Sequence, residues 1–179
     1  MASDASFANN TVDRKSSQGF AIKLFGGLIA WKANKQDTVT TSTTEAELLA
    51  LSQVAKEAMY TIRLLTELKV ELPINKITIH CDNKQTIRLV TEETSQLQTK
   101  LRHVDIHNHW LRQEVQSGTI AVQYIASSEM LADGFTKALP TAKWSSFLQQ
   151  LGMEDMKVKL FEKETDLPDL EERLEHAEP

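Results

Sequence analysis

The sequence predicts an α/β fold: a mixed sheet that contains a hairpin and is flanked by helices. Short stretches alternate with the two-residue period of a strand, namely Phe20, Ile22 and Leu24, then Ile77, Ile79 and Cys81, then Ile120, Val122 and Tyr124. A long stretch over 42–68 instead repeats Leu51, Val54, Ala58, Ile62 and Leu65 at three- and four-residue steps, with no Gly or Pro inside it. Further helical stretches separate the later strands, which is the order of a layered α/β domain.

Taken in order, residues 1–8 predict a short first strand, joined by the polar stretch 9–17 to a hairpin over 18–31 that Gly26 and Gly27 interrupt. The long helix over 42–68 follows, and Pro73 breaks the chain after it. The strand at 76–82 is succeeded by a short helix over 84–90 and a polar loop to Thr99. A helix over 104–116 is stopped by Gly118, and the strand of Ile120, Val122 and Tyr124 comes next. Two helices close the body, over 128–139 and 141–151, the second signalled by Pro140 with Thr141 as its cap. Residues 1–152 thus form one domain. Residues 153–179 form an acidic tail, with a terminal helix over 170–176.

A chain of 179 residues is long enough to close one core of ordinary size. With 41% apolar and 25% charged residues, 6 Gly and 4 Pro, collagen-like and wholly disordered classes are excluded. One cysteine, Cys81, supports neither a disulfide framework nor a cysteine-based zinc knuckle. No apolar run approaches the ~20 residues of a membrane span. Met1 to Asp4 turn polar too early for a signal peptide, so an intracellular setting without a membrane partner is expected. The net charge of −5 belongs to the tail, which holds ten acidic and four basic residues; the body stands at +1. A near-neutral body leaves room for a basic stripe opposite a carboxylate cluster.

Four carboxylates lie where the pattern points toward an interior or a strand end, Glu47 and Asp82 more clearly than Asp4 and Asp133, either of which alone would pass for a surface residue. Glu47 shares a stripe with Leu51, Val54, Ala58 and Ile62, at the N-terminal end of a core-facing surface. It could close a capping box with Thr44; Ser42 and Glu45 make a competing box on the solvent face, and the sequence leaves both open. Asp82 ends a strand, where α/β folds bind ligands, or else caps the next helix. Asp4 lies in the first strand. Asp133 lies in the helix over 128–139 beside Gly134, whose helical cost of about 1 kcal/mol relative to Ala points to another backbone approaching closely. Such a group acquires a joint purpose if two Mg²⁺ ions ~3.5–4 Å apart offset its repulsion, an arrangement suited to cutting a phosphodiester.

Several ordered motifs give that group a context: Ser3-Asp4-Ala5, Asp13-Arg14-Lys15-Ser16, Gly19-Phe20, Trp31-Lys32, Lys35-Gln36, Ser42-Thr43-Thr44-Glu45-Ala46-Glu47, Cys81-Asp82-Asn83-Lys84-Gln85, Arg102-His103-Val104-Asp105-Ile106 and Met130-Leu131-Ala132-Asp133. Together, from Ser3 to Gly152, they resemble the ribonuclease H domain that ends the Pol polyprotein of Copia-type (Pseudoviridae) LTR retrotransposons. The resemblance implies the ribonuclease H-like fold, a five-stranded mixed sheet with an antiparallel hairpin, parallel strands and flanking helices. It implies cleavage of the RNA strand of an RNA/DNA hybrid during reverse transcription, with Asp4, Glu47, Asp82 and Asp133 as catalytic residues holding two Mg²⁺ ions, for which Mn²⁺ can substitute. It also implies an upstream reverse transcriptase domain as partner and cytoplasmic virus-like particles as the setting.

Ser42, Thr43, Asn83, Lys84 and Gln85 adjoin two of these acids and are the candidate substrate-binding residues; their plainer role is helix capping. Arg14, Lys15, Lys32, Lys35, Arg88, Lys100 and Arg102 supply a candidate basic track. The chain departs from the family at Ser6 and Phe7, where an acid and Trp are usual. Three residues precede Asp4, so fraying of a short first strand is expected to lower metal affinity. The loop that often carries a histidine before the last helix reads Ala126-Ser127-Ser128-Glu129, which leaves Glu129 to serve. His103 and His107 have the spacing of zinc ligands but lack an evident third partner, so His103 and Asp105 are read as fixing the helix start. The rival functional reading is a catalytically weak or inactive module of the same fold that binds reverse transcriptase or nucleic acid. An integrase-like nuclease, which uses three carboxylates, ranks last.

Overall fold

The computed structural model describes residues 1–72, 76–154 and 156. Five strands, β1 (Ala2–Ser6), β2 (Ser17–Leu24), β3 (Gly27–Lys35), β4 (Ile77–Cys81) and β5 (Ile120–Tyr124), form one sheet in the order β3-β2-β1-β4-β5. The helices are α1 (Thr43–Glu67), α2 (Lys84–Thr91), α3 (Arg102–Gln116), α4 (Asp133–Thr136) and α5 (Thr141–Leu151). The pairs β3–β2 and β2–β1 run antiparallel, β1–β4 and β4–β5 parallel. This is the mixed sheet with a hairpin that the sequence predicts. The hairpin closes through Phe25 and Gly26, whose φ values of 50° and 83° supply the two positive dihedrals of a type I′ turn.

The core lies between the sheet and α1: Leu48, Leu51, Val54 and Ala58 pack with Phe20, Ile22, Ile77, Ile79 and Ile120, and Val104 and Leu111 of α3 join them. Strand alternation assigns the faces of β1. Ala5 turns toward Ala46 and Ala50 of α1, whereas Ala2 meets Met130 and Ala132. Asp4 shares the parity of Ala2 and therefore faces the segment that leads into α4.

The structure corrects four expectations. The helix expected over 128–139 contracts to the single turn of α4, because residues 127–132 are turns and irregular backbone in which Glu129 N–H bonds Ala126 O at 2.9 Å and Met130 folds onto Ala2. Thr141 does not cap α5; it is the first helical residue, and Pro140 stands at the cap without a side-chain bond. Glu45 is buried, not solvent-facing, with 1% exposure. The close neighbour of Gly134 is a ring, not a backbone: an added Cβ would sit 2.3 Å from Phe147. Pro73 and the helix expected over 170–176 lie outside the described residues, as does almost all of the acidic tail. Among the described residues no helix is long and apolar enough to cross a membrane.

Candidate metal centre

The start of α1 shows why Glu47 is not spent on capping. Ser42 Oγ accepts the N–H of Glu45 at 3.2 Å, and Glu45 reaches back to accept from Thr41 N–H at 2.6 Å and Thr41 Oγ1 at 2.8 Å. Of the two boxes the sequence left open, the Ser42 and Glu45 pair forms. Glu47, two positions on, is thereby left to point inward, 5% exposed. A similar division of labour follows β4. Asn83, not Asp82, caps α2, its Oδ1 accepting from Gln85 N–H and Thr86 N–H at 3.0 Å each. Asp82 is left to accept from Ser127 Oγ at 2.7 Å.

These choices bring together the four carboxylates singled out from sequence. One oxygen each of Asp4, Asp82 and Asp133 lies within 4.8 Å of the other two, and Glu47, Cys81 and Asp82 form a second such group sharing Asp82. Asp4 and Asp82 belong to adjacent parallel strands, Asp4 within β1 and Asp82 immediately after β4. Asp133 arrives from the opposite face to α1 because Gly19, paired with Asp4 across β1 and β2, carries no side chain: a Cβ there would meet Phe135 Cβ at 2.6 Å. The small residue lets α4 rest on the sheet.

Bare unit charges at 4.8 Å repel by roughly 3 kcal/mol at an effective dielectric of about 20. The protein responds in two ways. Burial pushes the Glu47 carboxyl up to about 9, reinforced by the charges of Asp4 and Asp82 and only partly offset by a hydrogen bond from the Ala5 backbone. Burial likewise raises Asp4, against the lowering effects of a hydrogen bond from Thr136 Oγ1 and the charge of Lys137. Burial, followed by the charge of Glu47, pushes the Cys81 thiol up to about 12. Lys137 reaches into the group, its Nζ 2.8 Å from Asp133 Oδ1 and 3.3 Å from Asp4 Oδ1. Burial opposes its charge, but Asp133 and Asp4 outweigh that and raise it.

Glu47 Oε2 is buried and has no hydrogen-bond partner. A buried carboxylate oxygen left bare is costly unless something binds it. A hard divalent cation, which takes oxygen ligands, is the chemistry this donor set fits.

Of the candidate substrate-binding residues, Ser42 and Asn83 are engaged as caps, while Thr43, Lys84 and Gln85 are exposed beside the group. Lys84 Nζ also lies 4.8 Å above the Tyr124 ring. The sequence motifs include Gly19 and the loop of Ser127 without their roles here, and they do not include Thr136 or Lys137, for which the i, i+4 spacing of Asp133 and Lys137 is the available signal.

No family model matches the chain. It is, however, 33% identical over 150 residues to the retrovirus-related Pol polyprotein of transposon TNT 1-94 from Nicotiana tabacum, covering 84% of this chain and 11% of that protein. It is 31% identical over 151 residues to that of transposon RE2 from Arabidopsis thaliana, covering 84% and 10%. Among solved structures, RNase H1 from Halobacterium salinarum aligns with a TM-score of 0.52 at 14% identity, over 75% of this chain and 90% of that one. An N-terminal RNase H domain from Mycobacterium tuberculosis aligns with a TM-score of 0.53 at 11% identity, over 83% and 95%. Over most of its length the chain is similar to a segment of retrovirus-related Pol polyproteins from plant transposons, and it has the ribonuclease H fold.

The chain spans about one tenth of the length of the curated relatives it matches. The loop before α4 carries no histidine and offers a hydroxyl, since Ser127 donates to Asp82. Glu129 is exposed. The histidines of α3 turn elsewhere: His107 Nδ1 lies 3.1 Å from Ser52 Oγ, and His109 Nε2 lies 3.7 Å from Asp105. In the candidate basic track, Lys35 pairs with Asp13 at 3.1 Å and Arg88 with Glu92 at 3.8 Å.

Proposed function

We propose that this domain hydrolyses the RNA strand of RNA/DNA hybrids at the carboxylate group, as part of a transposon Pol polyprotein that also carries a reverse transcriptase. The observation that carries the reading is the convergence of Asp4 from β1, Glu47 from α1, Asp82 from the end of β4 and Asp133 from α4, with Glu47 Oε2 bare and buried among them. Asp4, Glu47, Asp82 and Asp133 would hold two divalent ions, Mg²⁺ or Mn²⁺. When bound, the ions supply activation of the attacking water and stabilisation of the leaving 3′ oxygen.

The protein's own contribution is placement. Thr136 and Ser127 orient Asp4 and Asp82 through one oxygen each and leave the other oxygen of each free of that bond. Lys84, Gln85 and Thr43, exposed beside Asp82 and Glu47, are positioned to meet the sugar-phosphate backbone, where contacts to 2′-hydroxyls distinguish RNA from DNA.

The test is cleavage of an end-labelled RNA/DNA hybrid with Mg²⁺ or Mn²⁺, comparing the wild-type chain with Asp82→Asn and including single- and double-stranded DNA. Hybrid-specific RNA cutting that Asp82→Asn abolishes supports the reading. A folded protein that binds hybrid without cutting it assigns the domain to binding instead.

A further inference from the structure

Lys137 bridges two of the proposed metal ligands on unequal terms. Its Nζ contacts Asp133 Oδ1 at 2.8 Å and Asp4 Oδ1 at 3.3 Å, yet its side chain is 40% exposed while that of Asp4 is 1% exposed. Its backbone stands at the C-cap of α4, with N–H bonded to Asp133 O at 3.0 Å, so the root of the side chain is fixed beside Asp133. The ammonium can swing into water on a flexible four-carbon stem; the buried aspartate cannot follow it. Asp4 would still be held without it, because Thr136 Oγ1 bonds the other oxygen, Oδ2.

We infer that Lys137 is a tethered counter-cation: it occupies the space between Asp4 and Asp133 when no divalent ion is bound, yields that space to the ion, and so sets the metal concentration at which the centre fills. This rests on the carboxylate group being a metal centre. Three carboxylates within 4.8 Å of one another favour a positive charge beside them, and a lysine on the rim supplies one that can be exchanged. It is a positioning residue, because it acts through the carboxylates.

Binding of Mn²⁺ to the full chain without nucleic acid, read from the spin-resonance signal of free Mn²⁺, tests this. Lys137→Gln is expected to bind Mn²⁺ about tenfold more tightly than wild type, within the usual range of site-to-site coupling. Lys137→Arg is expected to stay near wild type. Equal or weaker binding by Lys137→Gln overturns the inference alone. No binding by wild type or variant overturns it together with the metal reading. Should Lys137→Gln fail to fold, the wild-type chain decides: adding Mg²⁺ should move the nuclear magnetic resonance of the Lys137 ammonium toward that of a solvated lysine, and a signal that saturating Mg²⁺ leaves unmoved contradicts the inference.

Discussion

Glu45 and Glu47 sit two residues apart on α1, at 1% and 5% exposure, and their surroundings treat them in opposite ways. Burial would raise the Glu45 carboxyl, but hydrogen bonds from Thr99, Thr41 and the Ser42 backbone hold it below its ordinary value. Burial does raise Glu47, to about 9, and its neighbours are further acids. One glutamate is complete in the folded chain; the other keeps a bare oxygen. The contrast separates two uses of a buried charge. A satisfied carboxylate fixes the entry of a helix, whereas an unsatisfied one among like charges marks a place for a cation.

The largest expected separation of the two is in activity. Glu47→Gln should lower hybrid cleavage by about 10³-fold, equivalent to roughly 4 kcal/mol of barrier, while Glu45→Gln stays within a few fold of wild type, both measured at saturating Mg²⁺. Comparable losses would break the contrast. Next in size is stability. Glu45→Ala should cost about 2–3 kcal/mol in urea unfolding, because it leaves the Thr41 N–H without its acceptor.

The third separation, the smallest per step of the measurement, is read through pH. A carboxyl raised in the folded state is protonated there while the unfolded chain has already released its proton. Glu47 therefore contributes stability that is fully present below about 4.5 and is lost as pH rises through about 9. Metal-free protein should lose stability across that window by on the order of 1 kcal/mol per pH unit, and Glu47→Gln should flatten the slope while Glu45→Gln leaves it. The Asp4 shift has the same sign and leaves a residual slope in Glu47→Gln.

Much of this was legible in the sequence. The strands β4 and β5 and the helix α1 follow from periodicity, and the four acids from ordered motifs read against a family. The stripe through Leu51 and Val54 faces the sheet and leaves Glu45 off it, which is why the sequence expectation puts Glu45 in solvent. A second buried line through Leu48, Ser52 and Ala55 starts from the same residue, and the packing of α3 against α1 explains why a second face is covered. The helix expected before Leu139 failed because Met130 and Ala132 answer to Ala2 of β1, a contact between residues far apart in the chain. Lys137 and Thr136 meet Asp4 across more than 130 residues of sequence, and no local pattern announces such a meeting.

On the proposed reading, the bare oxygen of Glu47 marks a divalent-cation site. Thermal unfolding at pH 8 with and without Mg²⁺, for wild type, Glu47→Gln and Glu45→Gln, tests it most directly. Mg²⁺ should raise the Tm of wild type and of Glu45→Gln by similar amounts and leave Glu47→Gln nearly unmoved. A Glu47→Gln protein that gains as much from Mg²⁺ as wild type would contradict the account.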